Sequence, residues 1–311
     1  MATEGQLVKA APFEYHAPET LDEALALLAE FGDEAKVLAG GQSLVPVLAL
    51  RLARFGHLVD LNRIPALRYV AVADGVTRIG AMTTQAVIAG SPDVASLVPL
   101  LARATGYIGH FQIRNRGTIG GSLSHADPGA EYPAVAIALD AEIVLASTRG
   151  TRTVAATEFF TGTFSTTAEP DEILTEIRFA SRPPGGVPGG PPGAPGTGPG
   201  GCAVVELARR HGDFALAGVA CAVEIDSAER IRSLRLGLFG VASAPVRAVA
   251  AEQAVRGSGC DGVDLEALGR AALSGVSCVS DLHADAGYRQ RVAAHLAGQA
   301  VRRAIEEARH G

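Results

Sequence analysis

Apolar residues recur along this chain in two rhythms, a helical one and an alternating one, and glycine gathers where the rhythm breaks. Leu21, Ala24, Leu25, Leu27 and Leu28 mark one helix face. Thr20 stands before that face as an N-cap, with Glu23 completing a capping box, and Gly32 ends it. Lys36 to Ala39 predicts a short strand, and Leu44 to Ala53 a helix. Leu58 to Leu61, Tyr69 to Val72 and Val76 to Ala81 predict strands. Thr83 to Ile88 and Pro99 to Thr105 predict helices. Ala134 to Leu139 is apolar throughout. Ala141 to Ala146 and Glu172 to Phe179 are strand candidates. Three further strands are expected at Ala203 to Leu207, Ala217 to Ile225 and Ser233 to Phe239. Helices follow at Arg247 to Arg256, Leu265 to Leu273 and Tyr288 to Ala308. Strands before helices in this last part predict an α+β unit.

Ser181 to Gly201 is almost entirely proline and glycine, a composition that predicts a flexible connection. It divides the chain into an expected domain over 1–180, a linker or insertion over 181–201, and a second domain over 202–311. The total of 311 residues is enough for two domains with cores of their own. A net charge of −6 argues against a nucleic-acid surface. The four cysteines, Cys202, Cys221, Cys260 and Cys278, form no C-x-x-C, and no histidine pair sits at zinc spacing. No metal or iron–sulfur site is therefore expected within the chain. Met1 to Lys9 lacks the apolar core of a signal sequence, and no apolar run reaches membrane-spanning length, so the expected location is the cytoplasm.

Two glycine pairs carry the chemistry. The first lies in Val37-Leu38-Ala39-Gly40-Gly41-Gln42-Ser43-Leu44, the second in Gly117-Thr118-Ile119-Gly120-Gly121-Ser122. Each is expected to follow a strand-like stretch. Each has hydroxyls beside it (Ser43; Thr118 and Ser122) able to donate to phosphate oxygens. Glycine lets backbone approach a ligand closely, and successive amides can cradle an anion. One such loop is a common turn, whereas two can grip a two-phosphate ligand from both sides, which makes a dinucleotide the first expectation. Gly257 to Gly262 also matches G-x-G-x-x-G, but a helical pattern precedes it where a nucleotide fingerprint needs a strand. It is expected to be a helix–helix connection. His125-Ala126-Asp127-Pro128 is either an acid/base pair or, as we prefer, a polar turn lining the site. Glu131 could accept from a ribose hydroxyl or be solvated. Arg209 to Phe214 is expected to be a tight turn between strands, reaching toward a ligand or simply solvated.

The segments Val37 to Pro46 and Gln112 to Ser122 resemble the medium, FAD-binding subunit of the molybdenum hydroxylases. This family includes the medium subunit of carbon monoxide dehydrogenase and the flavin domain of xanthine dehydrogenase. Arg210 to Ala215, Asp281-Leu282-His283 and the helix carrying Val301-Arg302-Arg303-Ala304 add to the resemblance, which spans nearly the whole chain. It implies an α+β protein: a two-part FAD-binding domain of the p-cresol methylhydroxylase (vanillyl-alcohol oxidase-like) type, then a smaller α+β C-terminal domain. It implies non-covalent FAD, with the pyrophosphate between Ala39 to Ser43 and Thr118 to Ser122. The implied cofactor-binding set is Lys36, Val37, Leu38, Ala39, Gly40, Gly41, Gln42, Ser43, Leu44, Ile108, Thr118, Gly120, Gly121, Ser122, His125, Glu131, Leu174 and Asp213. Glu131 stands where the family usually has Asp. Ile108 takes a position where some relatives stack an aromatic on the flavin, and Leu174 an apolar flavin contact. The lysine that some relatives carry before the Arg-Arg turn is absent, its region being held by Val205 and Glu206.

The resemblance further implies a heterotrimer, itself dimerised, with an iron–sulfur small subunit and a molybdopterin large subunit. Electrons from [2Fe-2S] clusters would pass through this flavoprotein to a terminal acceptor, with no catalytic residue of the chain's own. The alternatives are a stand-alone FAD-dependent oxidoreductase acting on a small molecule, and a non-enzymatic scaffold that has lost the flavin.

Overall fold

The computed structural model describes residues 9–181 and 200–310; the proline- and glycine-rich stretch lies almost wholly outside the described residues. Three sheets organise the chain. The first is small and parallel, built from β1 (Glu14–His16), β2 (Ala35–Leu38) and β3 (His57–Asp60), with β3 in the middle. Helix α1 (Leu21–Phe31) packs on it, burying Ala24, Leu25 and Leu28. The capping box is present: Thr20 Oγ1 accepts from the Glu23 amide, and Glu23 Oε2 accepts from the Thr20 amide. Helix α2 (Leu44–Ala49) follows β2. It is shorter than the expected 44–53, because Arg51 takes a left-handed φ of 57° that helix cannot continue through.

The second sheet is antiparallel. Its members are β4 (Val70–Ala73), β5 (Val76–Gly80), β6 (Glu142–Ser147), β7 (Gly150–Ala155) and β10 (Ile173–Ala180), in the order β4-β5-β10-β6-β7. Between β5 and β6 run α3 (Gln85–Gly90), α4 (Pro92–Leu97), α5 (Pro99–Thr105), α6 (Phe111–Arg114), α7 (Ile119–His125) and α8 (Glu131–Ala138). All eight residues of α8 are buried, which is why the sequence shows an apolar run there and no helical stripe. After β7, α9 (Ala156–Phe159) leads to the small ribbon of β8 (Phe160–Gly162) and β9 (Ser165–Thr166).

The third sheet is β11 (Gly200–Leu207), β12 (Ala217–Ile225), β13 (Ile231–Phe239) and β14 (Val246–Arg247), in sequence order. Alternation along these strands serves two cores at once. Cys202, Val204, Ala220 and Ala222 face the core formed with the helices between β5 and β6, and Ala203, Val205, Val219, Cys221 and Val223 face the other way. That second face is covered by α10 (Val249–Ala254), α11 (Leu265–Ala272) and the long α12 (Ala286–His310). The Gly257 to Gly262 motif is a turn and a 3-10 segment after α10, as expected.

Arg289, 3 % exposed near the start of α12, fastens this half. It donates to the carbonyls of Leu216 and Gly240, both at 2.6 Å, and pairs with Asp281 at 2.5 Å. The Asp281-Leu282-His283 motif thus has a structural purpose. Asp281 also accepts from the amides of His283 and Ala284, so it shapes the turn that offers it to Arg289. Arg289→Met is expected to strand the carbonyls of Leu216 and Gly240 and cost about 2–3 kcal/mol, a drop in Tm of several degrees by calorimetry. Asp281→Asn, which keeps the turn, should cost less.

Candidate flavin site

The two glycine pairs, about 80 positions apart in the sequence, meet in space. Gly40 is buried. A Cβ there would run into the carbonyl oxygen of Arg116 and lie 2.8 Å from Cα of Gly117. Gly121 faces Ala39 in turn, with its Cβ position 3.4 Å from Ala39 Cβ. At Gly40 only a residue without a side chain lets the two backbones approach this closely.

The first turn leaves β2 at the C-terminal end of the parallel strands, where open α/β sheets bind ligands. Gly41 takes φ +75°, and Ser43 begins α2 without a side-chain cap. Among the described residues, no internal hydrogen bond takes the amides of Gly41, Gln42, Ser43 or Leu44. Gln42 turns back to donate to the Gly40 carbonyl at 3.2 Å. One positioning residue escaped the sequence reading. Asn62 donates to the Ala39 carbonyl at 2.9 Å, and Asp60 holds the Asn62 amide at 2.9 Å. The signal was Asp60-Leu61-Asn62 where β3 ends, a short acceptor followed by a short donor.

The second pair is not a loop after a strand. It forms the first turn of α7, and α6 precedes it. Thr118 caps that helix by accepting from the Gly121 amide at 3.1 Å. The Gly120 amide goes to the Ala81 carbonyl at 2.9 Å, and the Ser122 amide to the Thr118 carbonyl at 3.1 Å. The two sides therefore differ chemically. The first offers unspent backbone amides. The second offers hydroxyls, from Ser122 and from Thr118, whose proton is free while its oxygen accepts.

Lys36, exposed on β2, carries its ammonium 5.7 Å from the Phe55 ring centroid. Val37 and Leu38 are half-buried beside it. His125 ends α7 and stacks on Phe164 at 4.9 Å. Burial pushes its pKa down, against the pull of Asp127 and helped by Lys36. Asp127 accepts from the Gly129 amide at 2.8 Å, so this segment is the expected polar turn. Burial raises the Asp127 pKa. The 208–216 turn between β11 and β12 closes over both neighbours. Gly212 lies against His110 and Gly109, and Phe214 and Ala215 against Gly129. Asp213 pairs with Arg209 and Arg210, each at 3.4 Å, so one carboxylate serves two guanidinium groups in that turn. Ile108 is half-buried against the main core. Leu174 is 6 % exposed within that core, so nearly all of its surface meets protein.

Glu131 opens α8 and is 6 % exposed. Burial, reinforced by the charge of Glu206, pushes its pKa up to about 8. Burial likewise pushes Glu206 up to about 7, and its Oε2 is buried with no hydrogen-bond partner among the described residues. Two carboxyl groups, one from each half of the chain, thus share a desolvated corner.

A two-sided glycine turn at the end of a parallel sheet, backed by a second sheet and helices, defines an FAD-binding domain. Residues 11–180 match the FAD binding domain in molybdopterin dehydrogenase, and residues 203–304 match the CO dehydrogenase flavoprotein C-terminal domain. The chain belongs to the FAD-binding medium subunits of the molybdenum hydroxylases. It is 40 % identical over 297 residues to the carbon monoxide dehydrogenase medium chain of Hydrogenophaga pseudoflava, covering 95 % of this chain and 96 % of that one. It is 36 % identical to the 6-hydroxypseudooxynicotine dehydrogenase complex subunit alpha of Paenarthrobacter nicotinovorans, with 97 % of each chain covered. Among solved structures, carbon monoxide dehydrogenase from Hydrogenophaga pseudoflava superposes with a TM-score of 0.87 at 39 % identity, over 96 % of this chain and 99 % of that one. The chain is accordingly the flavoprotein subunit of an oxidoreductase, and its cofactor is FAD. No helix among the described residues is long and apolar enough to cross a membrane.

Proposed function

We propose that this chain is the electron-transfer subunit of a molybdenum hydroxylase-type complex. In this reading it takes electrons from [2Fe-2S] clusters of a small subunit to a terminal acceptor, while substrate is oxidised at a molybdopterin large subunit. The carrying observation is the meeting of Gly40 with Arg116-Gly117 and of Gly121 with Ala39, beside a run of unspent amides. That cradle fits a pyrophosphate: backbone donors on one side, hydroxyl donors on the other, and no side chain filling the gap.

FAD supplies the redox chemistry when bound. The chain's own residues bind and orient. Gly41 to Leu44 present amides to one phosphate. Ser43, Thr118 and Ser122 donate hydroxyl protons. Lys36 to Leu38 shape the approach to the first turn. Glu131, buried and protonated near neutral pH, can donate to a ribityl or ribose oxygen as well as accept from it. Ile108, Leu174, His125 and the turn at Asp213 border the site and limit water. No residue is assigned an acid/base role, which suits electron relay, and nothing in the site calls for a covalent attachment. Two relatives are named as medium chains of carbon monoxide dehydrogenase, and another as a medium subunit of nicotine 6-hydroxylase. Substrate choice in such a complex rests with the large subunit, as we read it.

Purification of the native complex tests this. The chain is expected to co-elute with iron–sulfur and molybdopterin chains, to carry one FAD that acid precipitation releases, and to undergo flavin bleaching by substrate only when those chains are present. A chain that is active with a small molecule on its own would overturn the proposal.

A further inference from the structure

The first glycine turn leaves β2 of the parallel sheet; the other two strands, β1 and β3, hold a separate constellation. Glu14 and His16 are two apart on β1 and so share a face. Parallel pairing sets Glu14 beside His57 of β3. His16 Nε2 and His57 Nδ1 lie 3.1 Å apart. Glu14 Oε2 is 3.7 Å from His57 Nδ1, and one ligand atom from each of the three falls within 4.8 Å of the others. Tetrahedral zinc with bonds near 2.0–2.2 Å needs ligand atoms roughly 3.3 Å apart. The two imidazoles already stand at about that separation, and the exposed Glu14 carboxylate needs only a small swing to join them.

The imidazoles are also held. Phe31 stacks on His57 with centroids 3.7 Å apart and planes within 6°, and the same ring packs 5.4 Å from His16. Both histidines are half-buried, so little freedom is left to lose on binding a metal.

We propose that Glu14, His16 and His57 bind one zinc-type divalent cation per chain, with water in the open fourth position. Two imidazoles and a carboxylate suit zinc, and three protein ligands leave the usual open place. The cation would cross-link β1, a three-residue edge strand, to the central strand β3. Spacing in the sequence could not reveal this site, because the histidines are 41 positions apart and only the parallel register joins them.

The test is calorimetric titration of zinc chloride into the full-length, untagged chain after treatment with a chelator. One site per chain with an affinity in the micromolar range is expected. Glu14→Gln and His16→Gln should each weaken it at least about tenfold. His57→Phe, which keeps a ring against Phe31, should abolish it. Cobalt(II) bound in place of zinc should give the intense visible bands of tetrahedral coordination in the wild type alone. FAD content should be unchanged in all three variants, since the three side chains belong to β1 and β3 and the glycine turn follows β2. The proposal fails if the wild type shows no micromolar zinc binding, or if Glu14→Gln, a change at an exposed side chain, binds as tightly as the wild type.

Discussion

A Gly121→Val chain is expected to fold and to elute with little flavin, retaining FAD at least tenfold less tightly than the wild type, about 1.4 kcal/mol. Gly121 is half-buried in the first turn of α7, where replacing glycine raises helix propensity. What the new side chain meets is Thr118 Oγ1, 2.8 Å from the Cβ position, and Ala39 Cβ across the gap at 3.4 Å. Two further methyls would wedge the two glycine turns apart and displace the Thr118 hydroxyl. The control is Gly120→Val, one residue earlier. Its Cβ would lie 2.5 Å from Ala81 Cβ and 2.8 Å from the Ala81 carbonyl oxygen, against backbone that cannot yield. That variant should lose on the order of 3 kcal/mol of stability, seen as a large fall in Tm. The ratio of flavin absorbance to protein, read beside Tm, separates the two. Full flavin in Gly121→Val would refute the clamp between the turns.

This neighbouring pair also shows what the sequence could and could not reveal. That two Gly-Gly segments would come together was legible, and so were the capping box at Thr20 and the alternating strands of the third sheet. The strand expected before the second pair was not there. Helices α6 and α7 span four and seven residues, too short for apolar periodicity to declare itself. Nor could the sequence show how the amides are spent, since Ala81 and Thr118 consume those of Gly120 and Gly121 through tertiary contact and capping. The helix opening at Glu131 was hidden for the opposite reason, being buried all round with no polar face to set its phase. Contacts that join distant residues, such as Asn62 with Ala39, depend on register that composition does not encode.

The corner shared by Glu131 and Glu206 should make the flavin-free chain less stable as pH rises. Both groups have folded-state pKa values raised above the ordinary glutamate value of 4.5, to about 8 and about 7, with burial as the first cause in each. A raised acid holds its proton more tightly when folded, so the folded chain binds more protons than the unfolded one between those limits. Its stabilising effect is complete below about pH 4.5 and is lost as pH climbs through 7 and 8. Because the two charges repel, the second ionisation is the harder. Allowing for structural relaxation around the pair, the loss is on the order of 2–3 kcal/mol. A Glu131→Gln, Glu206→Gln chain cannot ionise there. It should match the wild type near pH 4 and exceed its Tm by several degrees at pH 8.5. The unpartnered Glu206 Oε2 gives a second expectation: Glu206→Gln alone should recover part of that gain, and Glu131→Gln, the more deeply buried of the two, should recover more. Parallel Tm profiles for the wild type and the double variant across this range would mean that the corner admits water and that the two carboxylates ionise freely.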